Sequence, residues 1–376
     1  MTSDAEFRVP MSAPDVNEDD CAAVLEVLRS GRLALGPRRE ELETLVADYV
    51  GVRRAVAVSS GTAALHLLVR TLGIGEGDEV LVPSFTFAAS VNAVLYERAT
   101  PVFVDIEPET YNLDPAHLES RIGPRSKAIM AVDVFGHPAP WDEIEGVASR
   151  HGLAVIDDSC EALGAEYRGR KLGQFGAGAA FAFYPNKQIT TGEGGVIVTN
   201  DDRLADLCAS LSNQGREGGP WLSHARLGYN YRLDEMSAAL GCSQMKRLES
   251  HLAKRAQVAQ MYAARLSGVG GVRTPIVRPC VRMSWFVYVV TLDEGADGAA
   301  VIAGMERRGV PARVYFTPMH TQPYLKGLPG AAGRDLPVTE SIAGRTIALP
   351  FHNNLSQLEI ELVVIALEES LAEVVG

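Results

Sequence analysis

The stretch Phe181-Ala-Phe-Tyr-Pro-Asn-Lys187-Gln-Ile-Thr-Thr-Gly-Glu-Gly-Gly195 sets one lysine between two apolar runs. Residues 177–183 are small and apolar and read as a buried strand that breaks at Pro185. After a glycine-rich turn, Gly195-Val-Ile-Val-Thr199 reads as a second buried strand. An ammonium held between core strands loses its hydration unless it is paired or neutral. Burial lowers a lysine's pKa, which yields a nucleophilic amine suited to a Schiff base. A lysine that snorkels out of a strand end fits this stretch equally well. The neighbouring segments decide between the two.

Upstream, Leu153-Ala-Val-Ile-Asp157-Asp158-Ser159 is a hydrophobic strand ending in two carboxylates. One suits a cap for the following turn, and the other suits keeping a heterocyclic nitrogen protonated; spacing alone does not say which does which. Ser59-Ser-Gly61-Thr62-Ala63 falls where the strand over residues 54–58 gives way to a helix ending near Leu72. Free amides, a glycine and hydroxyls at a helix start make an anion site, although a plain capped helix has the same composition. Pro83-Ser-Phe85-Thr-Phe87-Ala-Ala-Ser90 also lies between a strand and a helix, and Phe87 there is either core or a ring that stacks on a cofactor. In an open α/β sheet, ligands gather at the carboxyl ends of strands, where all these motifs lie. A phosphate cradle, a carboxylate and a buried lysine together point to pyridoxal phosphate.

Outward from these motifs, strand and helix patterns alternate from residue 54 to residue 158, which predicts right-handed βαβ units and a mainly parallel sheet covered by helices. Two amphipathic helices precede it, over residues 17–29 and 39–49. One long helical stretch is expected over residues 234–266, followed by strands at 286–292 and 312–315 and helices at 299–308 and 355–374. The reading is an α/β chain with a large domain over residues 1–250 and a small α+β domain over 251–376, against which the N-terminal segment could pack. The glycine-rich loop at residues 215–220, with Arg216, could touch a substrate.

A net charge of −12 disfavours a nucleic-acid or anionic-membrane partner, since either needs a basic face. Five scattered cysteines without a C-x-x-C pair suggest reduced thiols and no metal site. The polar start, Met-Thr-Ser-Asp-Ala-Glu-Phe-Arg, carries no apolar secretory core, so a cytoplasmic protein is expected.

In these same motifs the chain resembles the DegT/DnrJ/StrS sugar aminotransferases, from about Val9 to the C-terminus. S-S-G-T-A-A-L (59–65), G-D-E-V-L-V-P-S-F-T-F (77–87), P-V-F-V-D (101–105) and I-D-D-S-C-E-A-L-G-A (156–165) match in order. F-Y-P-N-K-Q-I-T-T-G-E-G-G (183–195), G-Y-N-Y-R-L-D-E-M (228–236) and L-P-F-H-N-N-L (349–355) continue the match. The resemblance implies a fold type I, pyridoxal phosphate-dependent enzyme and a homodimer with shared sites. It matches Lys187 to the lysine that carries the cofactor and Asp158 to the aspartate on its ring nitrogen, leaving Asp157 as support. It matches Phe87 to the stacking aromatic, and Gly61, Thr62 and Ala63 to the phosphate site. Asn230 matches an asparagine that reaches the phosphate from the neighbouring subunit. Glu161 stands at a position that faces the cofactor. Arg216, His320 and Tyr324 are the candidate substrate contacts.

Three departures bear on function. Ala182 stands where the family usually has a phosphate-binding serine, so Thr62 or water must replace that bond. Asp133 stands where many relatives carry histidine. Lysine at 187, where the family's sugar dehydratases carry histidine, favours transamination. The resemblance implies an amino donor, glutamate, and a nucleotide-linked keto-deoxysugar of the dTDP-4-keto-6-deoxyhexose type aminated at C4, with pyridoxamine phosphate formed between the two. The rivals are a cyclitol or inosose aminotransferase, an aminohydroxybenzoate synthase-like enzyme, and a non-catalytic regulator that binds the cofactor.

Overall fold

The computed structural model describes residues 8–328, apart from Gly219 and Trp221, and residues 336–375. Two helices lead in: α1 (Glu18–Ser30), capped by Asn17, and α2 (Pro37–Val50), which starts on Pro37. The alternation then runs β1 (Arg54–Val58), α3 (Gly61–Thr71), β2 (Glu79–Pro83), α4 (Ala88–Tyr96) and β3 (Thr100–Val104). It continues with α5 (Pro115–Ser120), β4 (Ser126–Val132), α6 (Trp141–His151) and β5 (Ala154–Asp158). A short hairpin, β6 (Glu166–Tyr167) and β7 (Arg170–Lys171), precedes β8 (Gly178–Ala182) and β9 (Gly195–Thr199).

Seven of these strands form one sheet in the order β1-β9-β8-β5-β4-β2-β3. Runs such as Arg54–Val58 and Ser126–Val132 are apolar almost throughout because helices bury both faces of the sheet. The pairs β2–β3, β2–β4, β4–β5 and β5–β8 are parallel, whereas β9 runs antiparallel to β8 and β1. The connection from β8 to β9 carries no helix, so the chain returns beside the strand it left. That return places Lys187 at the carboxyl end of β8, level with the carboxyl ends of β1 and β5.

Beyond the sheet come α7 (Asp202–Ser212), α8 (Glu235–Met245) and α9 (Leu248–Leu266). The continuous helix expected over 234–266 is thus broken. Arg247 leaves helical geometry at φ −112° and ψ 5°, while its guanidinium reaches the buried Asp20 carboxylate. Neither Gly nor Pro marks the site, so a tertiary contact breaks a locally regular pattern.

The rest comprises β10 (Val272–Arg273), β11 (Val281–Arg282), β12 (Tyr288–Leu292), α10 (Gly298–Arg307), β13 (Arg313–Val314), α11 (Pro337–Ile342), β14 (Thr346–Leu349) and α12 (Gln357–Val375). Here an antiparallel sheet, β10-β12-β14-β13, packs on helices around a separate core that also takes in Val9. Helix α9 joins the two units: Leu248 and Leu252 lie in the core beneath α2 and α8, and Val258 to Leu266 lie in the second core.

Candidate active site

A cavity of about 450 Å³ opens at the carboxyl ends of β1, β5 and β8. Gly61, Thr62, Phe87, Asp158, Glu161 and Lys187 all line it.

The floor begins at α3. Ser60 Oγ accepts from the Ala63 N–H at 3.1 Å and caps the helix, whose first residues, Gly61 and Thr62, line the cavity. A Cβ on Gly61 would stand 2.6 Å from the Ala182 Cβ and 2.9 Å from Cys160 Sγ. Only glycine fits there, and the backbone stays bare for an anion. Ala63 itself is buried in the sheet core with its amide committed to Ser60; it is not part of the cavity wall.

Strand alternation separates the two adjacent aspartates. Asp158 faces the cavity, with Oδ2 accepting from Ser90 Oγ at 2.6 Å and Oδ1 from the Cys160 N–H at 3.2 Å. Asp157 faces the opposite side, where it accepts from the Gly173 N–H at 3.0 Å and meets Ser159 Oγ at 2.7 Å. Asp133 is fully buried beside it and accepts from the Ala139 N–H and Trp141 Nε1, so the residue in the usual histidine position is absorbed into the protein's own bonding.

Lys187 Nζ stands 3.7 Å from Glu161 Oε1 and 3.7 Å from the centre of the Phe286 ring. Burial pushes the Glu161 carboxyl up, opposed by the lysine charge and by the Phe135 N–H, which donates to Oε2 at 2.9 Å. Gln188 Nε2 donates to the Glu161 carbonyl at 2.6 Å and so ties the lysine loop to the turn carrying Glu161. Phe87, at the start of α4, is 63% exposed and lines the cavity with a flat apolar ring.

Other wall residues carried no separate signal in the sequence. Tyr184 and Asn186 flank the lysine within its own motif, and adjacency was the available clue. Phe286, Tyr315 and Phe316 come from the C-terminal unit, more than ninety positions on, and only the fold brings them in.

Besides Ala63, four further expected contacts lie outside the cavity wall. Asn230 is exposed, its backbone bridged to Asn213, while its neighbours Tyr229 and Tyr231 turn inward to Glu97 and His66. Arg216 sits on the loop after α7, where its N–H donates to the Asn213 carbonyl; Gly219 of that loop lies outside the described residues. His320 meets Ser84 Oγ at 2.6 Å and Glu340 at 3.5 Å, and Tyr324 donates to Asn92 at 2.7 Å.

The model of the DegT/DnrJ/EryC1/StrS aminotransferase family matches residues 14–368. The chain belongs to this family. GDP-perosamine synthase of Caulobacter vibrioides is 41% identical over 368 residues, covering 97% of this chain and 98% of that protein. Among solved structures, DesV from S. venezuelae is 36% identical with a TM-score of 0.90, covering 96% of this chain and 98% of that one. Spr1654 from Streptococcus pneumoniae, solved in a PLP form, is 26% identical with a TM-score of 0.92, covering 98% of this chain and all of that one.

This member of the family is therefore a sugar aminotransferase with the fold type I architecture, and the family implies dependence on pyridoxal phosphate. The cavity fits that cofactor on its own evidence: a bare helix start for the phosphate, a fixed carboxylate, an exposed aromatic ring and a primary amine share one wall. Among the described residues, no helix is long and apolar enough to cross a membrane.

Proposed function

We propose that the protein moves an amino group from L-glutamate to C4 of a nucleotide-linked 4-keto-6-deoxyhexose, with pyridoxal phosphate joined to Lys187. The observation that carries this reading is the single cavity that holds the Lys187 amine, the Asp158 carboxylate and the Gly61 cradle around the space of one flat ring. Bound there, the cofactor supplies a conjugated ring that stabilises negative charge at the carbon losing its proton.

The chain's own groups do the rest. Gly61 and Thr62 hold the phosphate through backbone amides and the Thr62 hydroxyl, in the absence of a hydroxyl at Ala182. Phe87 covers one face of the ring and excludes water from it. Asp158, oriented by Ser90, keeps a proton on the ring nitrogen. With the cofactor bound, Lys187 would be the group placed to hold and move a proton, since its amine stands on the cavity wall beside Glu161. Glu161 stands 3.7 Å from the amine, where its carboxylate would offset the charge of a Lys187 ammonium.

Asn230 is exposed and does not line its own cavity, which supports a homodimer in which it reaches the phosphate held by a second copy. Arg216, three residues beyond the Asn213 whose backbone bridges Asn230, is the proposed nucleotide contact. Likeness to GDP-perosamine synthase supports a guanosine diphosphate sugar as the first nucleotide to test, beside the thymidine and uridine forms.

The test is a screen of the purified protein, loaded with pyridoxal phosphate, with glutamate and keto-sugars carrying each nucleotide, and with inosose. A 4-amino sugar nucleotide, identified by mass and proton spectra, is expected. Amination of inosose without any nucleotide sugar product would overturn the reading.

A further inference from the structure

Arg255 lies on α9, among the most deeply buried side chains of the protein at 2% exposure. Among the described residues, no carboxylate stands within ion-pair distance of it. All four of its terminal N–H groups instead go to main-chain carbonyls. Nη2 donates to the carbonyls of Asn186 at 3.1 Å and Lys187 at 2.8 Å, and Nη1 to those of Trp285 at 3.3 Å and Phe286 at 3.1 Å. Burial lowers the guanidinium pKa to about 10, with Asp15 the opposing charge. A buried cation without a carboxylate partner is an expensive way to fill a core, and an apolar side chain of the same size would do as well for packing alone.

What the guanidinium joins explains its presence. The Phe286 ring lies 3.7 Å beneath Lys187 Nζ. The Phe286 N–H donates to the Phe135 carbonyl, and the Phe135 N–H donates to Glu161, which faces the lysine. A circuit of contacts thus surrounds the amine, and two side chains tie the lysine loop to the strap from the C-terminal unit: Gln188, whose Nε2 donates to the Ser284 carbonyl at 3.1 Å, and Arg255, which alone of the two bonds the carbonyls of Lys187 and Phe286 themselves.

We propose that Arg255 is a positioning residue for Lys187, locking the lysine's backbone to the main chain that carries the Phe286 ring, so that the seating of the C-terminal unit fixes where the amine stands. The rigid fork of a guanidinium spans two carbonyl pairs, which an ammonium cannot do. The proposal rests on Lys187 being the reacting amine.

The experiment measures the glutamate half-reaction in a single turnover, following the bound cofactor's absorption at saturating donor. Arg255→Gln and Arg255→Lys are compared with Tyr262→Phe, which removes a different buried bond from the same helix, the one to the Pro350 carbonyl. Both Arg255 variants are expected to bind the cofactor and to react roughly tenfold or more slowly, since small misplacements of a reacting group carry large rate losses. Their apparent donor affinity should change less than about threefold on the same argument. Tyr262→Phe should lose melting temperature and keep the parent rate. If Arg255→Gln is insoluble, Arg255→Lys, which keeps the charge and most of the volume, decides. Arg255 variants that melt lower yet react at the parent rate would overturn the proposal. A parent protein that captures no cofactor at Lys187 would instead overturn the functional reading beneath it.

Discussion

Ser159 has one hydroxyl hydrogen and two carboxylates 2.7 Å from its oxygen, those of Asp133 and Asp157. It can donate to only one, so the other carboxyl must carry a proton and donate to Ser159. Burial raises both carboxyls, and the Asp133 charge raises Asp157 further. The folded pair therefore binds protons that the unfolded chain has released. Its contribution is fully present at low pH and is lost as pH rises through the raised values. Asp157→Asn replaces the shared proton with an amide hydrogen that serves at any pH. The variant should gain on the parent by about 1–3 °C in melting temperature between about pH 4 and pH 8, the gap widening with pH. Melting curves across that range check it, and a parallel pair of curves would contradict it. At this scale the sequence marked Lys187, the Asp157-Asp158 pair and Gly61 as candidates, because their residue types are unusual in their places and fall at strand ends. It did not separate Asp157 from Asp158 without the resemblance, although strand alternation does so once β5 is laid down.

At the scale of elements, caps that come from afar are what a linear reading misses. Helix α2 begins on Gly36 with no side-chain cap of its own. The Glu235 carboxylate, from the start of α8, accepts from the Arg38 N–H at 2.9 Å and the Arg39 N–H at 3.2 Å and does that work. Glu235→Ala should cost about 1–2 kcal/mol of stability, the usual loss for a helix cap, with cofactor affinity unchanged. Denaturant unfolding and a cofactor titration would show it; a loss of cofactor with no loss of stability would contradict it. The break between α8 and α9 has the same character, since it follows from Arg247 reaching Asp20. Strands and helices of the sheet were legible because their apolar runs are long and their turns carry Gly or Pro. These two features depend on partners about two hundred positions away.

At the scale of the whole molecule, the cavity draws its walls from both units, and Asn230 is exposed and not among the residues that line it. Leu222 and Leu227, 75% and 80% exposed, lie on the segment leading to Asn230, and Tyr96 adds further exposed apolar surface. A second copy would cover such surface and complete the phosphate site. Asn230→Ala should then lose cofactor from its partner's cavity, and mixing it with Lys187→Ala should return part of the activity, because one site of the mixed dimer keeps both residues. Activity assays on the mixture after subunit exchange test this; no recovery in a proven mixed dimer would contradict it. The large parallel sheet was readable from alternation, whereas the contribution of residues 284–316 to the site was not, because nothing local distinguishes cavity aromatics from core ones.

The central claim is that the Lys187 amine bonds the cofactor. Purified protein loaded with pyridoxal phosphate, reduced with borohydride and digested, should carry the reduced label on the peptide containing Lys187, and Lys187→Ala should carry none. A label on another lysine, or a protein that stays colourless and unlabelled, would contradict the account.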